Sequence, residues 1–171
     1  MTHVEMLLDA LPEIGMIEDD GLRGKVISVY LAAMERGGWE DLHDVPFTLL
    51  IPDLERDLVD HTRTVTRMAM AVADARIDLD RDTVIAGALL HDVGKLLEYR
   101  PGPERRKSHF GQLVRHPVSG AGLAMEYGLP DEVVHIIAAH SKEGEAVGRI
   151  PEAILIHHCD FIDFEIERTK H

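Results

Sequence analysis

The sequence predicts an all-α domain, on three observations. Hydrophobic residues make up 45% of the 171 positions but aromatics only 5%, so the interior must be Leu, Ile, Val, Ala and Met, which suits helix packing better than a β-sandwich. Apolar residues recur at helical spacing in segment after segment, with breaks at Gly and Pro. No clear alternating strand appears: "FTLLI" (47–51) is the best candidate, and one short strand has no partner. The length suits one domain, since two would each be small for a core of their own.

The first helix is expected from Thr2 to Leu11, stopping before Pro12. A second covers Leu22 to Arg36, with Val26, Ile27, Val29, Tyr30, Ala33 and Met34 apolar, and Gly37-Gly38 ends it. "WEDLHDVPFTLLIP" connects it, with room for a turn of helix, to a longer helix from Pro52 to Ala75. There Leu54, Leu58, Val65, Met68, Ala69 and Val72 share helical spacing. Asp80 or Asp82 reads as the N-cap of "TVIAGALLHD", a helix apolar on nearly every side and so suited to the centre of the fold. "YRPGPERRKSHFGQLVR" reads as a polar loop. Helices then follow at Pro117–Tyr127, ended by Gly128, and at Pro130–His140, with Pro at the start and Asp131 and Glu132 in the first turn. Ile150-Pro151 opens the last one.

The formal charge of −13 argues against broad nucleic-acid or membrane-surface binding. A local basic site is still available, because five of the 18 basic residues (Arg100, Arg105, Arg106, Lys107, Arg115) fall in one short stretch. The single cysteine, Cys159, excludes an internal disulfide and points to a reducing cytoplasm. No stretch is apolar and long enough to span a bilayer, and "MTHVEMLLDALPEIG" lacks the basic start of a signal peptide. Eleven histidines against four Phe and three Tyr make the histidine positions worth reading.

The run "LLHDVGKLLEY" (89–99) carries the functional question. His91-Asp92 is either a plain helix end or a pair of metal ligands. Gly94 and Lys95 fit a C-terminal cap, yet a preceding carboxylate opposes the helix dipole. His61 falls inside the long helix, His116 opens a later helix, His140 closes the next, and Asp160 lies inside the last, after His157, His158 and Cys159. Helix ends and apolar faces are the parts of a bundle that converge on an interior site. Four imidazoles and two carboxylates suit Fe, Mn, Co, Ni or Zn, whereas Mg alone prefers an oxygen-rich set. One six-coordinate ion cannot take all six groups and keep an open position; two ions sharing a carboxylate can.

"HTRTVTRMA" (61–69), "LLHDVGK" (89–95), "RHPVSGA" (115–121), "AAHSKEG" (138–144) and "HHCDFID" (157–163) together resemble the HD superfamily of metal-dependent phosphohydrolases over residues 52–165. The resemblance implies an all-helical, single-domain HD-type bundle with His61, His91, Asp92 and Asp160 as core metal ligands. In the dinuclear subset His116 and His140 complete a second site and Asp92 bridges two divalent ions, Fe or Mn in first place and Co, Ni, Zn or Mg as alternatives. Residues 1–51 match no motif and read as an N-terminal helical extension packed on the core of residues 52–171. Several assignments stay open at this level. Asp163 competes with Asp160, or orients a ligand imidazole. His109 competes with His116. At most one of His157 and His158 faces the site, since neighbours on a helix diverge by about 100°. Cys159 reads as a filler, and His3, His43, His135 and His171 as non-functional.

The implied chemistry is hydrolysis of a phosphate ester with metal assistance to the attacking water. Asp92, or Asp160, takes the water proton or acts through its charge, and Lys95, Arg106 and Lys107 contact the phosphate. The substrate class is a small phosphorylated molecule or a nucleotide; few aromatics are free to stack bases, so RNA and DNA are disfavoured. The Gly-Tyr-Pro signature of the cyclic-dinucleotide branch is absent. Three other readings compete: a diiron oxygenase on the same fold cleaving a C–C or C–P bond, a sensor in which metal only stabilises, and a helical interaction module without metal.

Overall fold

The computed structural model describes residues 2–171, and its helices supply the whole architecture. Among the described residues there is no strand, only isolated bridges between Pro46 and Asp57 and between Tyr99 and Lys107. Helix starts follow side-chain caps. α1 (His3–Ala10) begins on a capping box of Thr2 and Glu5, and α2 (Asp20–Gly37) on Asp19. α2 stops where Gly38 takes φ 74°, the left-handed conformation that costs glycine least. α3 (Leu58–Ala75) starts on a box of Asp57 and Asp60, and α4 (Arg81–Leu90) on Asp80. Asp82 is not the cap. Its carboxylate instead accepts from the Glu18 and Asp19 amides at 2.9 and 2.8 Å, which fixes the N-terminal turn to α4.

α4 is the axis of the molecule. Val84 to Leu90 are all buried, as an apolar run with no polar face requires. α3, α8 (Asp131–Ala139) and α9 (Pro151–Arg168) pack around it, and α7 (His116–Glu126) pairs with α8. Each fully buried Leu or Ile of α4 contributes on the order of 1.5–3 kcal/mol. Residues of α1, α2 and the connector after it join the same core. Leu7, Val26, Tyr30 and Trp39 belong to one apolar cluster with Leu89, Leu96 and Ile137. The Tyr30 hydroxyl donates to the Leu89 carbonyl, and Trp39 Nε1 donates to the Leu96 carbonyl at 2.8 Å.

Three local expectations fail, each for a tertiary reason. The long helix starts at Leu58, not Pro52, because residues 46–57 form a closed loop. Its neck is the Pro46–Asp57 bridge and a 2.9 Å bond from the Leu58 amide to the Val45 carbonyl. "FTLLI" lies in that loop rather than in a strand. The basic stretch is not wholly loop: Tyr99 and Lys107 close a hairpin, and Ser108 caps a short α6 (His109–Leu113). Gly94 is not a left-handed cap, since its φ is −62°. The chain turns there into α5 (Lys95–Glu98), and a Cβ on Gly94 would lie 2.1 Å from the His116 carbonyl oxygen. Glycine is needed for close approach, and that approach brings the start of α7 against the end of α4.

Candidate metal centre

Five elements each deliver part of one cluster. α4 ends in His91, with Asp92 next; α3 contributes His61, α7 His116, the end of α8 His140, and α9 Asp160. Each of the four imidazoles donates its Nδ1–H outward. His61 gives it to Asp163 Oδ2 at 2.7 Å, His91 to the Ala88 carbonyl at 2.6 Å, His116 to Glu98 Oε2 at 2.7 Å, and His140 to the Ile137 carbonyl at 2.7 Å. Those partners accept only, so Nδ1 carries the proton and every Nε2 points inward with its lone pair available.

The Asp92 carboxylate stands between two pairs of these nitrogens. Oδ2 lies 3.3 Å from His61 Nε2 and 3.4 Å from His91 Nε2. Oδ1 lies 3.1 Å from His116 Nε2 and 3.4 Å from His140 Nε2. Asp160 Oδ1 adds a contact of 3.0 Å to His61 Nε2. Two groups of ligand atoms result, each with all members within 4.8 Å: His61, His91, Asp92 and Asp160, and Asp92, His116 and His140.

This donor set fits metal ions. Ligand atoms about 2.1 Å from a common ion lie about 3.0–3.4 Å from one another in octahedral or tetrahedral arrangement. His61 Nε2 and His91 Nε2 face each other at 3.2 Å, where at most one proton can sit between two lone pairs. His140 Nε2 and Asp92 Oδ2 are buried without a hydrogen-bond partner. Lys95 Nζ comes within 2.7 Å of Asp92 Oδ2 as an ion pair. Unpartnered buried polar atoms cost roughly 1–3 kcal/mol each, and a cation among them removes that cost.

The electrostatics follow from the crowding of charge. Burial alone would lower the imidazole pKa of His61 and His91. Asp160, Asp163 and Asp92 outweigh it at His61, and Asp92 and Asp160 raise His91 to about 10. Burial pushes the carboxyls up, but Lys95 and His91 hold Asp92 well below the usual carboxylate range, and His61 and His91 do the same for Asp160. At His140 burial prevails and its pKa is lowered. A cation bound among these groups would balance the buried acids in place of a shared proton.

The model of the family described as HD domain matches residues 58–164, more than half of the chain. The chain belongs to the HD domain family. Among its relatives is the dihydroneopterin 2',3'-cyclic phosphate phosphodiesterase of Methanocaldococcus jannaschii, 31% identical over 121 residues, which are 66% of this chain and 48% of that protein. Ribonuclease Y of Pseudothermotoga lettingae is 30% identical over 61% of this chain and 18% of its own length. The 3'-5' exoribonuclease YhaM of Listeria welshimeri is 30% identical over 62% of this chain and 38% of its own length. The chain thus spans half or less of these relatives. No solved structure matches it.

The HD residues His91 and Asp92 stand at the meeting point of the helices, and the structure brings His61, His116, His140 and Asp160 to them. The basic side chains are placed differently. Lys95 is buried between the Phe47 carbonyl and Asp92, both at 2.7 Å. Arg106 is exposed and pairs with Glu104, while Lys107 pairs with Glu98 at 2.9 Å. Asp163 orients His61. His157 donates to the His140 carbonyl at 2.7 Å, His158 is exposed, and His109 opens α6 in place of a ligand position. Cys159 is buried, and burial beside Asp160 pushes its thiol up to about 11, so it stays protonated.

Sequence reasoning missed three residues around the HD ligands. Glu98 accepts from both the His116 amide and Nδ1 at 2.7 Å. Burial opposes its charge, but His116 and Lys107 bring its pKa down to about 2. Its signal was a lone acid inside the apolar restart "KLLEY". Phe47 stacks on His61, and Arg56 binds Asp163; neither carried a signal, because Phe47 falls in the expected connector and Arg56 in the expected long helix.

Proposed function

We propose that this protein is a metal-dependent phosphohydrolase that cleaves a phosphate ester of a small molecule or nucleotide. In this reading His61, His91, Asp92 and Asp160 hold one divalent ion, and Asp92, His116 and His140 hold a second. The observation that carries it is the Asp92 carboxylate, with one oxygen facing the His61 and His91 nitrogens and the other facing those of His116 and His140. The mixed nitrogen and oxygen donors favour Fe or Mn, with Co, Ni, Zn or Mg as alternatives. Bound there, such ions supply Lewis acidity toward a phosphoryl oxygen and make water a better nucleophile at neutral pH.

The chain's own groups do the rest. Asp92, shared by both groups, is the catalytic carboxylate that orients the attacking water. Lys95 holds Asp92 ionised from its Oδ2 side. The Nδ1–H bonds keep all four imidazoles from turning away. Solvent reaches the cluster past Asp160 and His116, whose side chains are 14% and 11% exposed against 3% or less for the other four. So narrow an opening favours a small phosphate, and Arg106 and Lys107 on the neighbouring hairpin are the basic groups that guide it in this reading. The charge of −13 weighs against a nucleic-acid partner. No helix among the described residues is long and apolar enough to cross a membrane, and a single buried cysteine supports a reducing cytoplasm.

The test is metal content per chain on protein purified without added metal, followed by a panel of phosphatase and phosphodiesterase substrates. About two ions per chain, with Mn-supported hydrolysis under anaerobic conditions, is the expected result. Oxygen uptake with a diol or phosphonate substrate and a mixed-valent iron signal would replace it with an oxygenase.

A further inference from the structure

We propose that the closed loop of residues 46–57 is a positioning device for His61, acting through Phe47 on the imidazole face and through Arg56 on the carboxylate behind it. This rests on the reading of His61 as a metal ligand. His61 is the fourth residue of α3, and its Nδ1–H is satisfied from α9 rather than from within its own helix. Two external contacts hold it. The Phe47 ring stacks on the imidazole with centroids 3.9 Å apart and planes 21° apart, which fixes the plane of the ring. Asp163 Oδ2 takes the Nδ1–H at 2.7 Å, which fixes the direction of Nε2 within that plane.

Both contacts are secured by the loop. Arg56 Nη1 donates to Asp163 Oδ1 at 3.0 Å and to Glu167 Oε2 at 3.2 Å, and Nη2 donates to Thr64 Oγ1 at 3.1 Å. One planar guanidinium therefore ties α9 to α3 one turn from His61, and it lies 5.7 Å from the Phe47 ring centroid. The loop is built to hold these positions. Its ends meet at the Pro46–Asp57 bridge, Phe47, Ile51 and Leu54 form its own apolar cluster with Phe164 against it, and Arg105 Nη1 donates to the Leu54 carbonyl at 2.6 Å. The Phe47 carbonyl also accepts from Lys95, so one residue of the loop touches two groups of the cluster. Phe47 and Arg56 both precede residue 58, outside the segment that the family model matches.

The experiment is calorimetric titration of metal-stripped full-length protein with Mn²⁺, with the absorption spectrum of the Co²⁺ form as a report on ligand geometry. Phe47→Ala and Arg56→Ala are expected to weaken one Mn²⁺ equivalent by about 10- to 100-fold and to alter the Co²⁺ bands. Phe47→Leu and Arg56→Lys, which keep the loop packed, are expected to fall between these and wild type. Leu7→Ala, in the separate apolar cluster that contains α1, serves as the stability control; it is expected to lower the melting temperature without weakening Mn²⁺. Arg56→Ala added to Asp163→Ala is expected to change nothing further, because Arg56 acts through Asp163. The proposal is overturned if Leu7→Ala weakens Mn²⁺ as much as Phe47→Ala at equal loss of melting temperature, or if the Arg56 and Asp163 effects add. A wild-type protein that takes up no divalent metal would instead overturn the metal-centre reading, and this proposal with it.

Discussion

His91 and His140 are oriented by their own helices, whereas His61 and His116 are oriented by residues from elsewhere. His91 and His140 stand just past the ends of α4 and α8, where the carbonyl three residues back has no helical partner, and each donates its Nδ1–H there: to Ala88 and to Ile137. His61 and His116 lie in the first turns of α3 and α7, and no local acceptor serves them. Each borrows a carboxylate, Asp163 from 102 residues away and Glu98 from 18. Each carboxylate is in turn held by a basic residue, Arg56 or Lys107. A helix C-terminus is thus a self-contained way to aim an imidazole, while a position in a helix's first turn needs a second layer of charge supplied by the fold.

The largest effect should come from the residue common to both pairs. Asp92→Ala is expected to lose both ions and to lower turnover by at least about a thousandfold, whereas His140→Ala, on one side only, should retain one ion per chain. Loss of a single ion in Asp92→Ala would show that the two pairs are independent and break the comparison. Next, stripping the metal with chelator should lower the melting temperature by about 10 °C, on the order of 4 kcal/mol for ions held at a thousand times their dissociation constant. An unchanged melting temperature with metal loss confirmed would count against a cation at the core.

Glu98→Gln and Asp163→Asn remove the borrowed charges while keeping shape. Each is expected to weaken the ion on its own side by about 10- to 100-fold, measured by metal titration. If both weakened the same ion, the assignment of His61 and His116 to opposite sides of Asp92 would be wrong. The smallest effect lies at the neck of the loop beside His61. Asp57, the cap of α3, hydrogen-bonds His43 at 2.6 Å and raises its pKa above the ordinary 6.5, against partial burial. A raised pKa gives stability that is complete below the unfolded value and fades as pH rises through the folded one. His43 is more than half exposed, so His43→Gln should cost only about 0.3 kcal/mol, roughly 1 °C, at pH 5.5 and nothing at pH 9. An equal loss at both pH values would mean that the contact acts by shape rather than by charge.

The parts of this arrangement that were legible in the sequence are the locally determined ones. α4 was readable as the central helix because an unbroken apolar run has nowhere else to go, and Asp80, one of its two expected caps, bonds the Thr83 amide three residues on. Lone acids and imidazoles at helix ends marked His91, Asp92 and His140 for attention. Gly94 stood out in "HDVGK", but its reason did not: a close approach to the His116 carbonyl exists only once α7 is packed against α4.

Composition and periodicity by themselves determined an all-helical chain with α4 at its centre and a set of imidazoles and acids at helix ends and apolar faces, because helix propensity, capping and burial act over a few residues. Only the tertiary structure decided which oxygen of Asp92 faces which imidazole, that Glu98 and Asp163 aim His116 and His61, and that residues 46–57 close into a loop carrying Phe47 and Arg56 to the site. Those contacts join residues tens of positions apart, and no local pattern records a distance that appears only when separate helices are packed together.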